Sequence, residues 1–128
     1  MQKTKRILVT DAAIKLIKKL KLDFSELIFH QSGGCCDGSS PMCFEKNDFE
    51  MGSSDVGLGE IEGCEFWMSK DQFEYWKHTQ LTLDVVKGRG SSFSLEIPTG
   101  NRFMIRSRMF NEDELKNLDN LFYIPDNN

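Results

Sequence analysis

Short runs in which apolar and polar residues alternate recur along most of this chain, and a period of two is typical of strands. Turns that contain glycine or proline separate many of these runs. The predicted strands are Ile7–Val9, Glu26–Gln31, Cys43–Met51, Gly57–Ile61, Glu65–Met68, Leu81–Val86, Ser92–Ile97 and Arg102–Met109. The pattern therefore predicts a strand-rich domain.

Three segments have the polar cap and the apolar spacing that are typical of helices. Thr10 caps a predicted helix that continues to about Lys21, and its lysines lie opposite its apolar face. Ser69 caps a second predicted helix that continues to about Lys77, and Asn111 caps a short third one. The apolar face of the first helix consists of Ala13, Ile14, Ile17 and Leu20. The capping-box partners of the other two helices are Gln72 and Glu114. Strands with short peripheral helices indicate the α+β class.

The length of 128 residues predicts one domain over residues 1–128, with an ordered core at about 7–118. A basic N-terminal start precedes this core, and an acidic tail follows it. The tail carries the whole net charge of −4, so the body is balanced and lacks the basic surplus of a dedicated nucleic-acid binder. The chain shows no signal-peptide core and no apolar run of membrane-spanning length. We therefore expect a cytoplasmic protein with neither a nucleic-acid nor a membrane partner.

The segment from His30 to Cys43 is rich in glycine and holds three of the four cysteines. Thiolate and imidazole groups are ligands for zinc and iron. A disulfide between the adjacent Cys35 and Cys36 would be strained, and a reducing compartment disfavours disulfides in general. We therefore expect a zinc or iron site whose ligands come from His30, Cys35, Cys36 and Cys43, with His78 as a further or replacement ligand.

Two other interpretations of the same segment stay open. Cys35 or Cys36 can act as a reactive thiolate, with His30 or His78 as its base, because successive N–H groups in a glycine-rich turn stabilise negative charge. Alternatively, Cys43 and one of the paired cysteines pack as small apolar groups, and His30 binds a backbone partner. Cys64 lies apart from this segment, and we expect it to be a buried structural thiol.

Arginines recur on one face of the strand predicted at Arg102–Met109. Arg102, Arg106 and Arg108 are two residues apart and therefore point the same way. Together with Arg89, which lies in a glycine turn, they can bind a carboxylate or a phosphate. The competing interpretation is pairing with carboxylates of neighbouring strands. We favour pairing for Arg102 and retain Arg89, Arg106 and Arg108 as anion-binding candidates.

Several sequence blocks resemble a bacterial family known only as domain of unknown function 779. The blocks are His30–Cys43, Gln72–Gln80, Leu83–Leu95 and Arg102–Arg108, within a similarity that covers roughly residues 7–115. Members of that family are often encoded beside aldehyde and alcohol dehydrogenases. The resemblance implies a dehydrogenase as a partner and implies no mechanism.

The order of the elements is also similar to that of the HesB-like, A-type iron–sulfur carriers. Their fold implies a flattened double-sheet barrel with peripheral helices, and their assemblies imply a homo-oligomer. Cys35 occupies the position of a cluster ligand in their Gly-Gly-Cys loop. Their closing Cys-Gly-Cys motif is missing here, because Gly100–Met109 contains no cysteine. The resemblance therefore supports the fold but not an iron–sulfur cluster.

Taken together, these features predict a small cytoplasmic metal-binding accessory protein that supports an aldehyde or alcohol dehydrogenase. A thiol-dependent enzyme or redox protein that uses Cys35 or Cys36 is the first alternative. A non-catalytic interaction module is the second.

Overall fold

The computed structural model describes residues 3–31, 38–48, 50–88 and 94–124. Within these ranges the strands are β1 (Ile7–Val9), β2 (Leu27–Gln31), β3 (Met42–Glu45), β4 (Asp55–Ile61), β5 (Cys64–Ser69), β6 (Thr79–Lys87), β7 (Asn101–Met109) and β8 (Phe122–Tyr123). The helices are α1 (Asp11–Leu20), α2 (Lys70–Trp76) and α3 (Glu112–Leu115). None of the described helices has the length and apolar character needed to cross a bilayer.

The strands form two sheets. One sheet has three strands in the order β1-β6-β7, and the other has five in the order β3-β2-β5-β4-β8. β1 is parallel to β6 and β2 is parallel to β5, whereas the remaining pairs are antiparallel. This architecture confirms a strand-rich α+β domain with two sheets. The described residues do not show the closure of these sheets into a barrel.

The core lies between the two sheets and beneath α1. Phe29 on β2 contacts Phe103 on β7 edge-on, with 5.0 Å between the ring centroids. Phe66 on β5, the register partner of Phe29 in the same sheet, stacks with it at 6.2 Å between the ring centroids. All three rings are fully buried. The aromatic contact therefore joins the inner faces of the two sheets, and such contacts contribute beyond their buried area.

Local capping explains where α1 begins. Thr10 Oγ1 accepts a hydrogen bond from the Ala13 N–H at 3.2 Å, as the sequence predicts. The buried face of α1 differs by one residue from the prediction, because Leu16 is buried and Ile14 is only half-buried. The lysines of α1 lie towards solvent or at its margin.

Two predicted strands are shorter than expected or absent. The strand predicted at Cys43–Met51 ends at Glu45, where a 3₁₀ turn follows over residues 46–48. The described part of the strand predicted at Ser92–Ile97 is a turn that leads into a 3₁₀ turn at Ile97–Thr99. Pro98 lies within that turn, and its missing N–H and fixed φ disfavour a continuing strand.

The last strand, β8, lies after α3 at the margin of the five-stranded sheet. β8 pairs with β4 through Val56 and Gly57. Its Phe122 ring contacts Trp67 edge-on, with 5.0 Å between the centroids. A Cβ atom at Gly57 would lie 1.8 Å from Cε2 of Phe122, so only glycine leaves room for this ring. The segment after α3 thus covers the outer face of the five-stranded sheet at Trp67.

A capping box and an ion pair fix α3 to the end of β7. Asn111 Oδ1 accepts from the Glu114 N–H at 2.8 Å, and Glu114 Oε1 accepts from the Asn111 N–H at 3.0 Å. Arg108 donates to both oxygens of the same carboxylate at 2.9 and 2.6 Å. The hydrogen bonds from Arg108 and from the Asn111 backbone lower the pKa of Glu114 from 4.5 to about 2.

We predict that Glu114→Gln lowers the thermal midpoint at neutral pH by an amount that vanishes in acid. The pKa of this carboxyl is lower in the folded chain, so its stabilisation is present above about pH 4.5 and disappears as the pH falls through about 2. Calorimetry of wild type and variant at several pH values between 7 and 2 measures the difference. Glu112→Gln, at the exposed start of the same helix, is the matched control. A difference between wild type and Glu114→Gln that persists unchanged at pH 2 would contradict the assignment.

Candidate functional site

A partly buried histidine–aspartate pair lies next to the cysteine-rich segment. His30 is the penultimate residue of β2, and its ring Nε2 lies 2.7 Å from Oδ1 of Asp55 at the start of β4. His30 is only 5% exposed. The other oxygen of Asp55 accepts from the Gly52 N–H at 3.0 Å, which fixes the carboxylate. Residues 32–37, which follow β2 directly, lie outside the described residues.

The pair indicates which ring nitrogen of His30 carries a proton. A carboxylate oxygen only accepts, so Nε2 of His30 carries the proton that it donates to Asp55. In the neutral imidazole, Nδ1 is then the nitrogen with the lone pair. The ring is thereby held in one orientation and one tautomer. This arrangement suits a metal ligand and also suits a general base.

Cys43 lies on the opposite side of the sheet from His30. The β2–β3 register pairs Phe29 with Cys43 and His30 with Met42, and side chains alternate across a strand. Cys43 is fully buried in the core with Phe29. Burial, with smaller contributions from Glu96 and Cys64, raises the pKa of its thiol well above the ordinary value. The structure therefore does not bring Cys43 and His30 together, and Cys43 stays a protonated core thiol. Cys64 is likewise fully buried, as expected.

His78 lies far from the cysteine-rich segment along β6. It is exposed just after α2, and its carbonyl accepts from the Phe110 N–H at 3.0 Å. Gly38 and Ser39 of the cysteine-rich segment pair with Ile105, which is in register with Leu83. His78 precedes Leu83 by five residues, a distance of about 16 Å at roughly 3.3 Å per strand residue. The described residues thus separate His78 from Gly38 and Ser39.

The remaining predicted ligands cannot be placed. Cys35, Cys36 and the anion-binding candidate Arg89 all lie outside the described residues. Within the described ranges, no group of three or more His, Cys, Asp or Glu side chains is arranged to hold a metal ion. The metal site as a whole stays a prediction, and His30, Cys43 and His78 are its members among the described residues.

The segment that follows residues 32–37 is bonded to the edge of β7. The Gly38 N–H donates to the Ile105 carbonyl at 2.8 Å, and the Ile105 N–H donates to the Ser39 carbonyl at 2.8 Å. Arg102 adds hydrogen bonds from Nη1 to the Gly38 carbonyl at 2.8 Å and to Ser40 Oγ at 2.6 Å. The cysteine-rich segment therefore starts on the five-stranded sheet and returns along the three-stranded one.

A fully buried carboxylate, Glu96, connects to Cys43 through Ser94, and the sequence analysis did not single it out. Glu96 is fully buried, and its oxygens accept from the Ser94 hydroxyl and from the Phe103 N–H, the latter at 3.1 Å. Ser94 Oγ in turn accepts from the Cys43 N–H at 2.8 Å. The one sequence signal was a glutamate between apolar Leu95 and Ile97. Asp55, the partner of His30, gave no comparable signal.

The arginines of β7 differ in their partners. Arg106 Nε binds Asp84 at 2.7 Å and lowers the pKa of that carboxyl, and Arg108 binds Glu114. These two guanidinium groups carry ion pairs, as the competing interpretation expects, and anion binding by Arg106 and Arg108 stays a prediction. For Arg102 we expected pairing with a carboxylate. None of the ion pairs among the described residues includes Arg102.

We predict that Cys43→Ser destabilises the fold without changing any metal content. A serine hydroxyl at this fully buried position has to be desolvated, at a cost of about 1–3 kcal/mol in the free energy of unfolding. Urea denaturation measures the loss, and mass spectrometry of the purified protein measures metal content. If a correctly folded Cys43→Ser variant no longer binds metal, Cys43 is a ligand.

The comparisons with known proteins identify a family but no activity. A family model described as Domain of unknown function (DUF779) matches residues 16–109, a span that includes His30, Asp55 and Arg102. No curated protein and no solved structure matches the chain. The similarity to the HesB-like carriers is not confirmed by these comparisons. The chain belongs to the family of domain of unknown function 779.

Proposed function

We propose that this protein binds a transition-metal ion, zinc or iron, with His30 as a ligand. The observation that carries the proposal is the partly buried contact of 2.7 Å between His30 Nε2 and Asp55 Oδ1. A metal-binding histidine characteristically donates its other ring N–H to a carboxylate, which orients the ring and raises its basicity. Nδ1 of His30 is then the atom that binds the ion.

The sequence supplies thiolates close to this histidine. Cys35 and Cys36 follow His30 by five and six residues, and thiolates bind zinc and iron well. Cys43 is excluded from the ligand set because its thiol is protonated in the core. Two remaining thiolates are fewer than the four cysteines of a typical iron–sulfur cluster, so the proposal is a single ion.

The role that we propose for the ion is accessory. It rests on the family's association with aldehyde and alcohol dehydrogenases, which suits metal handling or support of such an enzyme. We further propose a cytoplasmic homo-oligomer, on the weaker resemblance to the HesB-like carriers. If the experiments below find neither a bound ion nor a reactive thiol, the result favours a non-catalytic module that binds a partner without metal.

We predict that tag-free protein binds zinc or ferrous iron stoichiometrically and that His30→Ala abolishes this binding. Asp55→Asn keeps the size of the side chain but removes its charge, and we expect it to weaken the affinity about 10–100-fold, as losses of orienting carboxylates do. Competition with a chromophoric chelator measures the affinity, and mass spectrometry measures the content.

The matched control is His78→Ala, which removes the chain's other histidine from an exposed position and leaves binding unchanged. Thermal unfolding of each variant separates loss of the ligand from loss of the fold. An Asp55→Asn variant with wild-type affinity would refute the orienting role. The absence of any bound metal in wild-type protein after reconstitution would refute the site.

A thiol-dependent activity is the second candidate, and the same histidine–aspartate pair favours it. A nucleophilic cysteine needs a base that a third group orients, and Asp55 holds His30 in that manner. In this case Cys35 or Cys36 supplies the nucleophile and His30 removes its proton. Covalent chemistry on a substrate thiol or carbonyl would then replace metal binding.

For this second candidate we predict that metal-free protein is alkylated by iodoacetamide at pH 7 about tenfold faster than an ordinary cysteine. The reason is that an imidazole partner increases the thiolate fraction of the thiol. His30→Ala should return the rate to that of free cysteine, whereas His78→Ala should not. Peptide mapping by mass spectrometry identifies the alkylated residue. A rate that is equal in wild type and His30→Ala would exclude His30 as the base.

A further inference from the structure

Arg102 is half-buried and differs from its neighbours on the outward face of β7 in what its guanidinium binds. Arg106 and Arg108 each form an ion pair with a carboxylate. The described partners of Arg102 are neutral, namely the Gly38 carbonyl and the Ser40 hydroxyl, and both accept from Nη1. Its positive charge therefore has no ion-pair partner among the described residues.

Hydrogen bonds fix one end of the Arg102 side chain. Nη1 is tied to the Gly38 carbonyl and the Ser40 hydroxyl at 2.8 and 2.6 Å. Gly88 has no side chain, and even an ideal Cβ there would lie 3.8 Å from Cδ and Nε of Arg102, so Gly88 leaves space beside Nε. A guanidinium held in this way loses little conformational entropy when it binds a ligand.

The charges around Arg102 favour an anion. Val86 lies opposite it across the strand pair, so the position that directly faces Arg102 holds no carboxylate. The nearest carboxylate in the register, Asp84, already accepts from Arg106, Thr10 and the Val85 N–H. The buried carboxylate of Glu96 accepts from Ser94 and from the Phe103 N–H. Both carboxylates are thus engaged elsewhere.

We infer that Arg102 binds a small oxyanion, a carboxylate or a phosphate, on the outer face of β7. Nη1 donates to the Gly38 carbonyl and the Ser40 hydroxyl. Nε and Nη2 carry two parallel N–H donors, and a guanidinium uses this side-on pair for bidentate binding of oxyanions. This site shares no residue with the proposed metal site, so either can fail without the other.

The test is a titration of metal-free protein, labelled with nitrogen-15, with inorganic phosphate and, separately, with acetate. We expect saturable shifts of the Gly38 amide and the Arg102 Nε–H signals with at least one of the two anions. Arg102→Gln should weaken the apparent affinity about tenfold or more, because charge-assisted hydrogen bonds are lost. Whichever anion binds more tightly identifies the ligand class as phosphate or carboxylate.

Arg106→Gln is the matched control, since it removes an arginine from the same face and should leave the affinity within about twofold of wild type. Sodium chloride at equal ionic strength should not reproduce the shifts. Shifts that do not saturate, equal effects of Arg102→Gln and Arg106→Gln, or the same response to chloride would each overturn the inference.

Arg102 also holds Gly38 and Ser40, so Arg102→Gln can lose the fold. Arg102→Lys guards against that outcome, because its ammonium can donate to the same carbonyl and hydroxyl but cannot present the guanidinium fork. A folded Arg102→Lys variant with about tenfold weaker binding supports the inference. Wild-type affinity in that variant refutes it.

Discussion

Strand edges that must find hydrogen-bond partners govern the arrangement of this domain. An exposed edge leaves N–H and C=O groups unpaired and invites association with other chains. In this domain, short irregular segments pair with two of the strand edges. Gly38 and Ser39 pair with Ile105 on β7, and the Leu95 N–H donates to the Cys43 carbonyl on β3. These bonds connect the two sheets and determine where the cysteine-rich segment returns to the body. The candidate site depends on that connection.

The alternation of side chains along single strands then separates core from chemistry. On β7, Phe103 and Ile105 fill the core, while Arg102 and Arg106 point outward. On β2, Phe29 faces the core and His30 lies on the other side with Asp55. A core substitution and a site substitution can therefore be adjacent in the sequence and still act on different properties. This separation makes the proposed variants interpretable, because stability and binding can be measured independently.

The sequence predicts the features that depend on local chemistry. Thr10, Ser69 and Asn111 cap their helices as expected, because a cap needs only residues within one turn. The outward arginine face follows from the period of a strand alone. The contact of His30 with Asp55 spans 25 positions and has no local signal. The register of β2 with β3, which places Cys43 in the core, likewise depends on the conformation of the long segment between them. Sequence spacing alone therefore could not distinguish a shared metal centre from two opposite faces.

The parallel pairing of β1 with β6 has a consequence for how the molecule folds. Residue 7 lies beside residue 81, and residue 4 bridges to residue 118. Such contacts close long loops of chain before any pairing energy is gained, which slows the search for the native topology. The first strand must therefore wait for the second half of the polypeptide, and its apolar residues stay exposed in the meantime. A chain of this topology folds on the slow side for its size and benefits from protection against aggregation during synthesis.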